Sequence, residues 1–227
     1  MNDVVHFDIE TIPSQLPWVR EYYTEKTAVP TPPKTLKKQE SIDKWLIDNT
    51  HEAAIDNACA KAGFSGASNH ICCISWAVDT PNSEGETKNS FMLGDVSKEG
   101  DQIQDLFDDI GKLKYGAVFA GHNIIGFDIR VIKQRAMVLG IKIPNVFPVY
   151  AKPWDKNVYD TMLKWDARDF IKMDLIATAF GLDGKGSVDG SMVHPMWKEG
   201  KYAEIASYCD DDVRMGREVY NKMVFKG

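Results

Sequence analysis

The strongest constraint on the fold is an apolar run near the N-terminus that ends in two carboxylates. Residues 4–7 are mostly β-branched or aromatic and lead directly into Asp8 and Glu10, which one isoleucine separates. Such a run predicts a β-strand, which we place at residues 3–9. Because side chains two positions apart on a strand point to the same face, Asp8 and Glu10 should lie side by side.

These two carboxylates allow two interpretations. If they are buried together, adjacent negative charges are costly unless a positive charge lies between them, and a divalent cation with oxygen ligands would supply it. If the strand runs out into solvent at this point, they are ordinary surface acids. An isolated Asp-x-Glu pattern does not separate the two interpretations.

The composition is typical of a globular protein. The chain has 227 residues, of which 44% are hydrophobic and 26% are charged, enough for one large domain or two small ones. No apolar run approaches the roughly 18 residues of a membrane helix, and no signal-peptide pattern is present. The four cysteines show neither zinc-ligand spacing nor a disulfide framework. We therefore expect a cytoplasmic protein without a membrane partner.

The net charge of −6 limits how the chain can bind nucleic acid. It argues against a protein that holds nucleic acid by bulk electrostatics. It does not exclude an enzyme that binds only a few nucleotides, because acids that bind cations would themselves contribute to the negative charge.

The order of the predicted elements indicates an α/β fold. Strands come first and are followed by alternating strands and helices, which favours one domain over residues 1–227 with a mixed β-sheet flanked by helices. The predicted strands lie at 3–9, 70–79, about 88–93 and 117–120, the predicted helices at 38–61, 101–114, 126–139, 173–180 and about 202–224, and short extended pieces at 146–151 and 157–162.

A long segment, about residues 14–69, separates the first two predicted strands. It is partly helical and sparse in apolar residues, so we interpret it as an insertion after the first strand. Its aromatic residues Trp18, Tyr22 and Tyr23 could stack on nucleotides, although packing onto the body of the domain is favoured. Because the insertion directly follows the strand with the two carboxylates, we hypothesise that it covers a substrate cleft.

A second acidic position follows the buried strand at 117–120. Asn123 and Phe127 lie in a turn with two glycines, and a helix opens near Asp128. An acid in the first helical turn is stabilised by the helix N-terminus whatever its function. Small residues also permit close approach by a ligand, so both interpretations remain open.

A third acidic stretch lies in the last predicted helix. Tyr208 and Asp212 are four residues apart and therefore share one helical face. Three successive acids in mid-helix are unfavourable unless at least one has a cationic partner. Of these, Asp210 and Asp211 are best interpreted as solvated. For Asp212 a purely structural function, in which it caps or pairs, and a functional one both remain open.

Taken in order, the patterns D-x-E, N-x-x-x-F-D and Y-x-x-x-D resemble the tyrosine-bearing branch of the DEDD 3′–5′ exonucleases. More narrowly, the chain resembles stand-alone exonucleases related to the proofreading domain of family B DNA polymerases. The resemblance covers most of the chain except 14–69. Ser207, rather than a histidine, argues against the histidine branch, and Arg130 departs from the proline that is usual in the polymerase domains. Further stretches similar to the narrower group are Tyr159-Asp160-Thr161-Met162, Gly184-Lys185-Gly186, Asp189-Gly190-Ser191 and residues 204–209.

The resemblance implies a ribonuclease-H-like fold and a metal-dependent 3′–5′ exonuclease. Asp8, Glu10, Asp128 and Asp212 would bind two divalent cations, Mg²⁺ or Mn²⁺, which suit carboxylate ligands. Tyr208 would orient the attacking water. Since a tyrosine with its ordinary pKa is a poor base at neutral pH, the cations would do most of the activation.

The resemblance also implies how a nucleic acid binds. The backbone around Thr11 and the side chain of Ile12 would contact the terminal nucleotide, and Asn123 and Phe127 would shape the cleft, although core packing explains Phe127 equally well. The expected activity releases nucleoside 5′-monophosphates from single-stranded DNA. RNA 3′-end trimming and a non-catalytic nucleic-acid-binding module of the same fold are the alternatives. Because 227 residues leave no room for a polymerase domain, any proofreading would act in trans with a replication or repair protein.

Overall fold

The computed structural model describes residues 2–184 and 189–226, and its centre is one mixed five-stranded β-sheet in the order β3-β2-β1-β4-β5. β1 pairs antiparallel with β2, and β2 with β3, whereas β4 and β5 are added in parallel. The strands are β1 (Val4–Pro13), β2 (Asn69–Asp79), β3 (Lys88–Phe91), β4 (Val118–Gly121) and β5 (Val158–Asp160). With helices on its faces, this sheet confirms the predicted α/β class and is consistent with a ribonuclease-H-like fold.

Helices occupy most of the described chain outside the sheet. They are α1 (Pro17–Lys26), α2 (Gln39–Asp48), α3 (His51–Ala62), α4 (Glu99–Ile110), α5 (Asp128–Leu139), α6 (Thr161–Trp165), α7 (Met173–Ala179), α8 (Val193–Lys198) and α9 (Tyr202–Met223). None of the described helices combines the length and apolar character that crossing a bilayer requires. Lys185 and Gly186, in one of the stretches similar to the exonucleases, lie outside the described residues.

Several predictions of secondary structure need correction. The extended piece predicted at 157–162 is β5 only as far as Asp160, after which α6 begins. The single helix predicted at 38–61 is two helices, because the Thr50 side chain caps α3 by accepting a hydrogen bond from the Ala53 amide at 3.1 Å. The first strand does not stop at residue 9 but runs on to Pro13, since β2 pairs with it along this whole length. Residues 146–151, predicted to be extended, form successive turns instead.

The two faces of β1 pack into different hydrophobic clusters. Val5, Phe7 and Ile9 pack with the apolar faces of α4 and α5. Ile12 belongs to the opposite cluster, which includes residues of β2, α8 and α9. The thiol of Cys209 on α9 donates to the Asp8 carbonyl at 3.4 Å, so α9 lies against this second face.

A buried charged cluster joins the insertion to the rest of the fold. Glu99 on α4 and Arg135 on α5 are only 1% and 3% exposed. Arg135 donates to both carboxylate oxygens of Glu99 at 2.7 and 2.6 Å and to the Gly66 carbonyl at 2.9 Å. Glu99 also contacts the His70 ring at 2.8 Å and accepts from the Ile71 amide at 2.9 Å. The end of the insertion is therefore fixed to α4, α5 and β2.

The aromatic residues of α1 do not pack as expected. Trp18 and Tyr22 are about half exposed, and Tyr22 meets Tyr23 edge-to-face at 5.2 Å. α1 instead packs on α3, where Arg20 on α1 pairs with Glu52 and Asp56, and Val19 on α1 and Ile55 on α3 are buried.

Candidate active site

Three carboxylates from opposite ends of the chain meet at one place in the structure. Asp8 and Glu10 on β1 and Asp212 on α9 each offer an oxygen, and these oxygens lie within 4.8 Å of one another. Glu10 and Asp212 are buried and Asp8 is half-buried. Such crowded, buried negative charge fits a hard divalent cation with oxygen ligands.

The position of Asp212 depends on how α9 is attached to the sheet. Asp210, in the same turn, accepts hydrogen bonds from the Ser75 hydroxyl on β2 and the Asn89 amide on β3, both at 2.7 Å. The expectation that Asp210 is solvated was therefore wrong. Asp211 is exposed as expected, and its carboxylate accepts from Arg214 on the same helix at 2.9 Å.

Asp128 lies at the other edge of β1. β4 pairs with β1 only as far as His6, so the Ile9 amide lies beyond the part of β1 that β4 pairs with. Asp128, the first residue of α5, accepts a hydrogen bond from that amide at 3.0 Å. Among the described residues, Asp128 is not a member of the compact three-carboxylate group.

The electrostatics at Asp128 favour a nearby cation. Burial raises the pKa of Asp128 to about 7 against the opposing hydrogen bond from Ile9, and the negative charges of Asp160 and Asp212 contribute to the rise. Burial and nearby negative charge therefore both oppose ionisation of this carboxyl group, and a bound dication would stabilise its ionised form.

Tyr208 lies one helical turn before Asp212 on α9. Burial and then the negative charges of Asp212, Glu10 and Asp8 raise the pKa of the Tyr208 hydroxyl far above its ordinary value. The hydroxyl therefore stays protonated at neutral pH. It is therefore suited to donate a hydrogen bond in this site rather than to act as a base.

Asp160 positions the candidate site, although the sequence analysis named it only within a stretch similar to the exonucleases. Its buried carboxylate accepts hydrogen bonds from the Asn123 and Ile125 amides at 3.0 Å each, and it also caps α6. Asn123 has a positive φ of 60°, which asparagine tolerates better than most residues. Asp160 thus holds the turn that leads into Asp128. Its place just before a helical segment was the available signal, since aspartate is a preferred N-cap.

A cleft of about 660 Å³ opens beside Glu10. Thr11 and Phe127 line it, and Phe127 also packs against the core. Substrate binding by these two residues stays a prediction. The remaining lining residues come from the end of β1, from the later part of the insertion and from the segment around α8: Pro13, Ala60, Lys61, Gly63, Phe64, Gly190, Ser191, His194 and Pro195.

Two of the predicted substrate-binding residues lie elsewhere. Ile12 is 0% exposed and packs in the cluster beneath α8 and α9, so its side chain does not reach the cleft. Asn123 is half-buried in the turn held by Asp160 and is not among the residues that line this cleft in the described chain. The complete burial of Ile12 speaks against contact of its side chain with a nucleotide. The function of Asn123 in shaping the cleft stays a prediction.

Comparison with known proteins identifies one family. A family described as predicted 3′–5′ exonucleases related to the exonuclease domain of PolB matches residues 66–226. The matched range begins just before β2, so it includes Asp128, Tyr208 and Asp212 but not the strand with Asp8 and Glu10. No curated protein matches the chain.

Proposed function

Because the chain belongs to the family of predicted 3′–5′ exonucleases related to the exonuclease domain of PolB, we propose that it removes nucleoside 5′-monophosphates from the 3′ end of single-stranded DNA. The observation that carries this proposal is the group of Asp8, Glu10 and Asp212 beside an open cleft. RNA 3′-end trimming is the alternative substrate. A non-catalytic binding module of the same fold is disfavoured because such a module has no need of clustered carboxylates.

The proposed site has distinct functions for its residues. Asp8, Glu10, Asp128 and Asp212 would hold two divalent cations, Mg²⁺ or Mn²⁺, and these would supply an activated water and stabilise the leaving oxygen. The Ile9 amide orients the Asp128 carboxylate through their hydrogen bond. The protonated Tyr208 hydroxyl donates a hydrogen bond that orients the attacking water.

The proposal predicts a metal-dependent ladder of products. Single-stranded DNA and RNA of one sequence, each labelled at the 5′ end, would be incubated with the protein in Mg²⁺, in Mn²⁺ and in chelator. We expect shortening from the 3′ end with either metal, faster on DNA, and none in chelator. Faster shortening of RNA would favour the trimming alternative, and the absence of cleavage of either substrate would contradict an exonuclease.

Replacing Tyr208 by phenylalanine is expected to slow hydrolysis by about 10- to 150-fold without unfolding the protein. A hydrogen bond involving a charged group contributes about 1.5–3 kcal/mol, which corresponds to this range of rates. Single-turnover rates on labelled DNA would measure the effect. Tyr150→Phe, at an exposed tyrosine, is the matched control, and an unchanged rate for Tyr208→Phe would show that its hydroxyl does not act in the reaction.

A further inference from the structure

The loop at the end of the insertion is held tightly against α5. Arg130 donates to the Phe64 carbonyl at 3.1 Å, the Gly66 amide donates to Gln134 at 2.9 Å, and Arg135 donates to the Gly66 carbonyl at 2.9 Å. A Cβ at Gly66 would lie 2.4 Å from the Cβ of Gln134, so the loop approaches the helix too closely for another residue. The backbone on both sides of residue 65 is therefore fixed to α5.

On this fixed backbone Phe64 presents a large apolar ring to the cleft. The ring is 65% exposed and meets Phe127 edge-to-face, with centroids 6.3 Å apart. Both rings line the same cleft as Glu10, together with His194 and Pro195 at the start of α8. By contrast, the aromatic residues of α1 do not line this cleft in the described chain.

Resting on the proposed exonuclease function, we propose that the 3′-terminal base of the strand stacks on the ring of Phe64, which with the neighbouring Phe127 forms an aromatic wall of the cleft. Every base has an aromatic face, so an exposed ring on a fixed backbone binds bases without regard to sequence. The cleft volume lies in the range of small-molecule sites. The insertion is then a fixed wall of the substrate site and makes the enzyme sensitive to whether the last nucleotide carries a base.

Arg130 positions this wall. Its guanidinium group donates both to the Gly126 carbonyl at 3.0 Å, next to Phe127, and to the Phe64 carbonyl. It therefore connects the backbones that carry the two rings. A proline, which is usual at this place in the polymerase domains, has neither a guanidinium group nor an amide to donate. An arginine at position 130, in place of the proline that is usual in the polymerase domains, is therefore consistent with a wall in which the insertion supplies one of the two rings.

The test compares two DNA strands that differ only at the 3′ end, where one has an ordinary nucleotide and the other an abasic tetrahydrofuran residue. We expect the wild-type protein to favour the ordinary end by about 5- to 150-fold in kcat/KM, the range for stacking on one ring. Phe64→Leu should remove most of this preference by slowing removal of the ordinary nucleotide alone, and Phe64→Tyr should keep it. Phe225→Leu, at a phenylalanine that is 95% exposed and outside the cleft, is the matched control.

Arg130→Ala should lower the same selectivity ratio, with Arg130→Lys partly restoring it, because a lysine can still donate to one of the two carbonyls. An unchanged ratio in Phe64→Leu, including an equal loss on both strands, would overturn the proposal while leaving the exonuclease function intact. An unchanged ratio in Arg130→Ala would show that Arg130 does not position the wall.

Equilibrium binding separates the two proposals if the protein degrades neither strand. In that case the exonuclease proposal fails. Fluorescence anisotropy of the two 5′-fluorescein-labelled strands, titrated with the wild-type protein and with Phe64→Leu, then tests whether the wall binds the terminal base. A preference for the ordinary end that depends on Phe64 would support the wall as a base-binding site, and the same ratio of affinities in both proteins would refute it.

Discussion

Hydrolysis is expected to fall by a factor on the order of a thousand or more when Asp8 is replaced by alanine. Asp8 is one of three carboxylates whose oxygens lie within 4.8 Å of one another, so its removal takes away a central ligand of the proposed cations. Metal ions contribute several kcal/mol to such reactions, and each 1.4 kcal/mol corresponds to about a tenfold change in rate. Initial rates on 5′-labelled single-stranded DNA in Mg²⁺ would measure the loss.

The control for Asp8→Ala is Asp211→Ala. Asp211 is an acid next to Asp212 on α9, but it is exposed and pairs with Arg214 at the surface, so its loss should leave the rate nearly unchanged. Binding of DNA by Asp8→Ala, measured by anisotropy, and its thermal unfolding would confirm an intact fold. A rate above one tenth of wild type would remove Asp8 from the proposed ligand set.

Replacing Arg135 by alanine is expected to lower the free energy of unfolding by about 3–5 kcal/mol, because it leaves a buried carboxylate without its main counter-charge. Arg135 and Glu99 are both almost fully buried, and two hydrogen bonds of 2.7 and 2.6 Å join them. Urea unfolding monitored by circular dichroism would measure the difference, with the slope of the transition checked for constancy.

The matched control for Arg135→Ala is Arg214→Ala at a surface ion pair. The Arg214 side chain is 61% exposed, and such pairs contribute about 0–1 kcal/mol. A loss below about 1 kcal/mol for Arg135→Ala would contradict the importance of the buried pair.

The pH dependence of the buried pair has a definite sign. Burial raises the pKa of Glu99, but the hydrogen bonds from His70 and Arg135 outweigh it and hold this pKa below its ordinary value of 4.5. The folded state binds the Glu99 proton more weakly than the unfolded state does. The ionised Glu99 carboxylate therefore contributes fully to the free energy of unfolding above about pH 4.5, and this contribution is lost as the pH falls further.

The parts of the site that local periodicity determines could be predicted from the sequence. Alternation along β1 places Asp8 and Glu10 on one face, and the four-residue spacing along α9 places Tyr208 beside Asp212. The apolar pattern of 70–79 correctly predicted β2, which the structure has at Asn69–Asp79. The catalytic and metal-binding functions of these residues stay predictions.

The parts that depend on contacts between distant segments could not be predicted. Asp210 is a hydrogen-bond acceptor for β2 and β3 only because α9 crosses those strands. The Asp160 carboxylate accepts hydrogen bonds from two backbone amides of a turn that lies more than thirty positions earlier in the chain. Phe64 reaches the cleft through its backbone contacts with α5. Nothing in the local pattern around any of these residues marks such partners.

The cluster of carboxylates also determines when the candidate active site can form during biosynthesis. It joins β1, the first element of the described chain, to α9, the last. While the ribosome is still making α8, the nascent polypeptide carries Asp8 and Glu10 but has no Asp212 to place beside them. The candidate active site therefore assembles only after translation has passed α9 and this helix has emerged from the exit tunnel and docked.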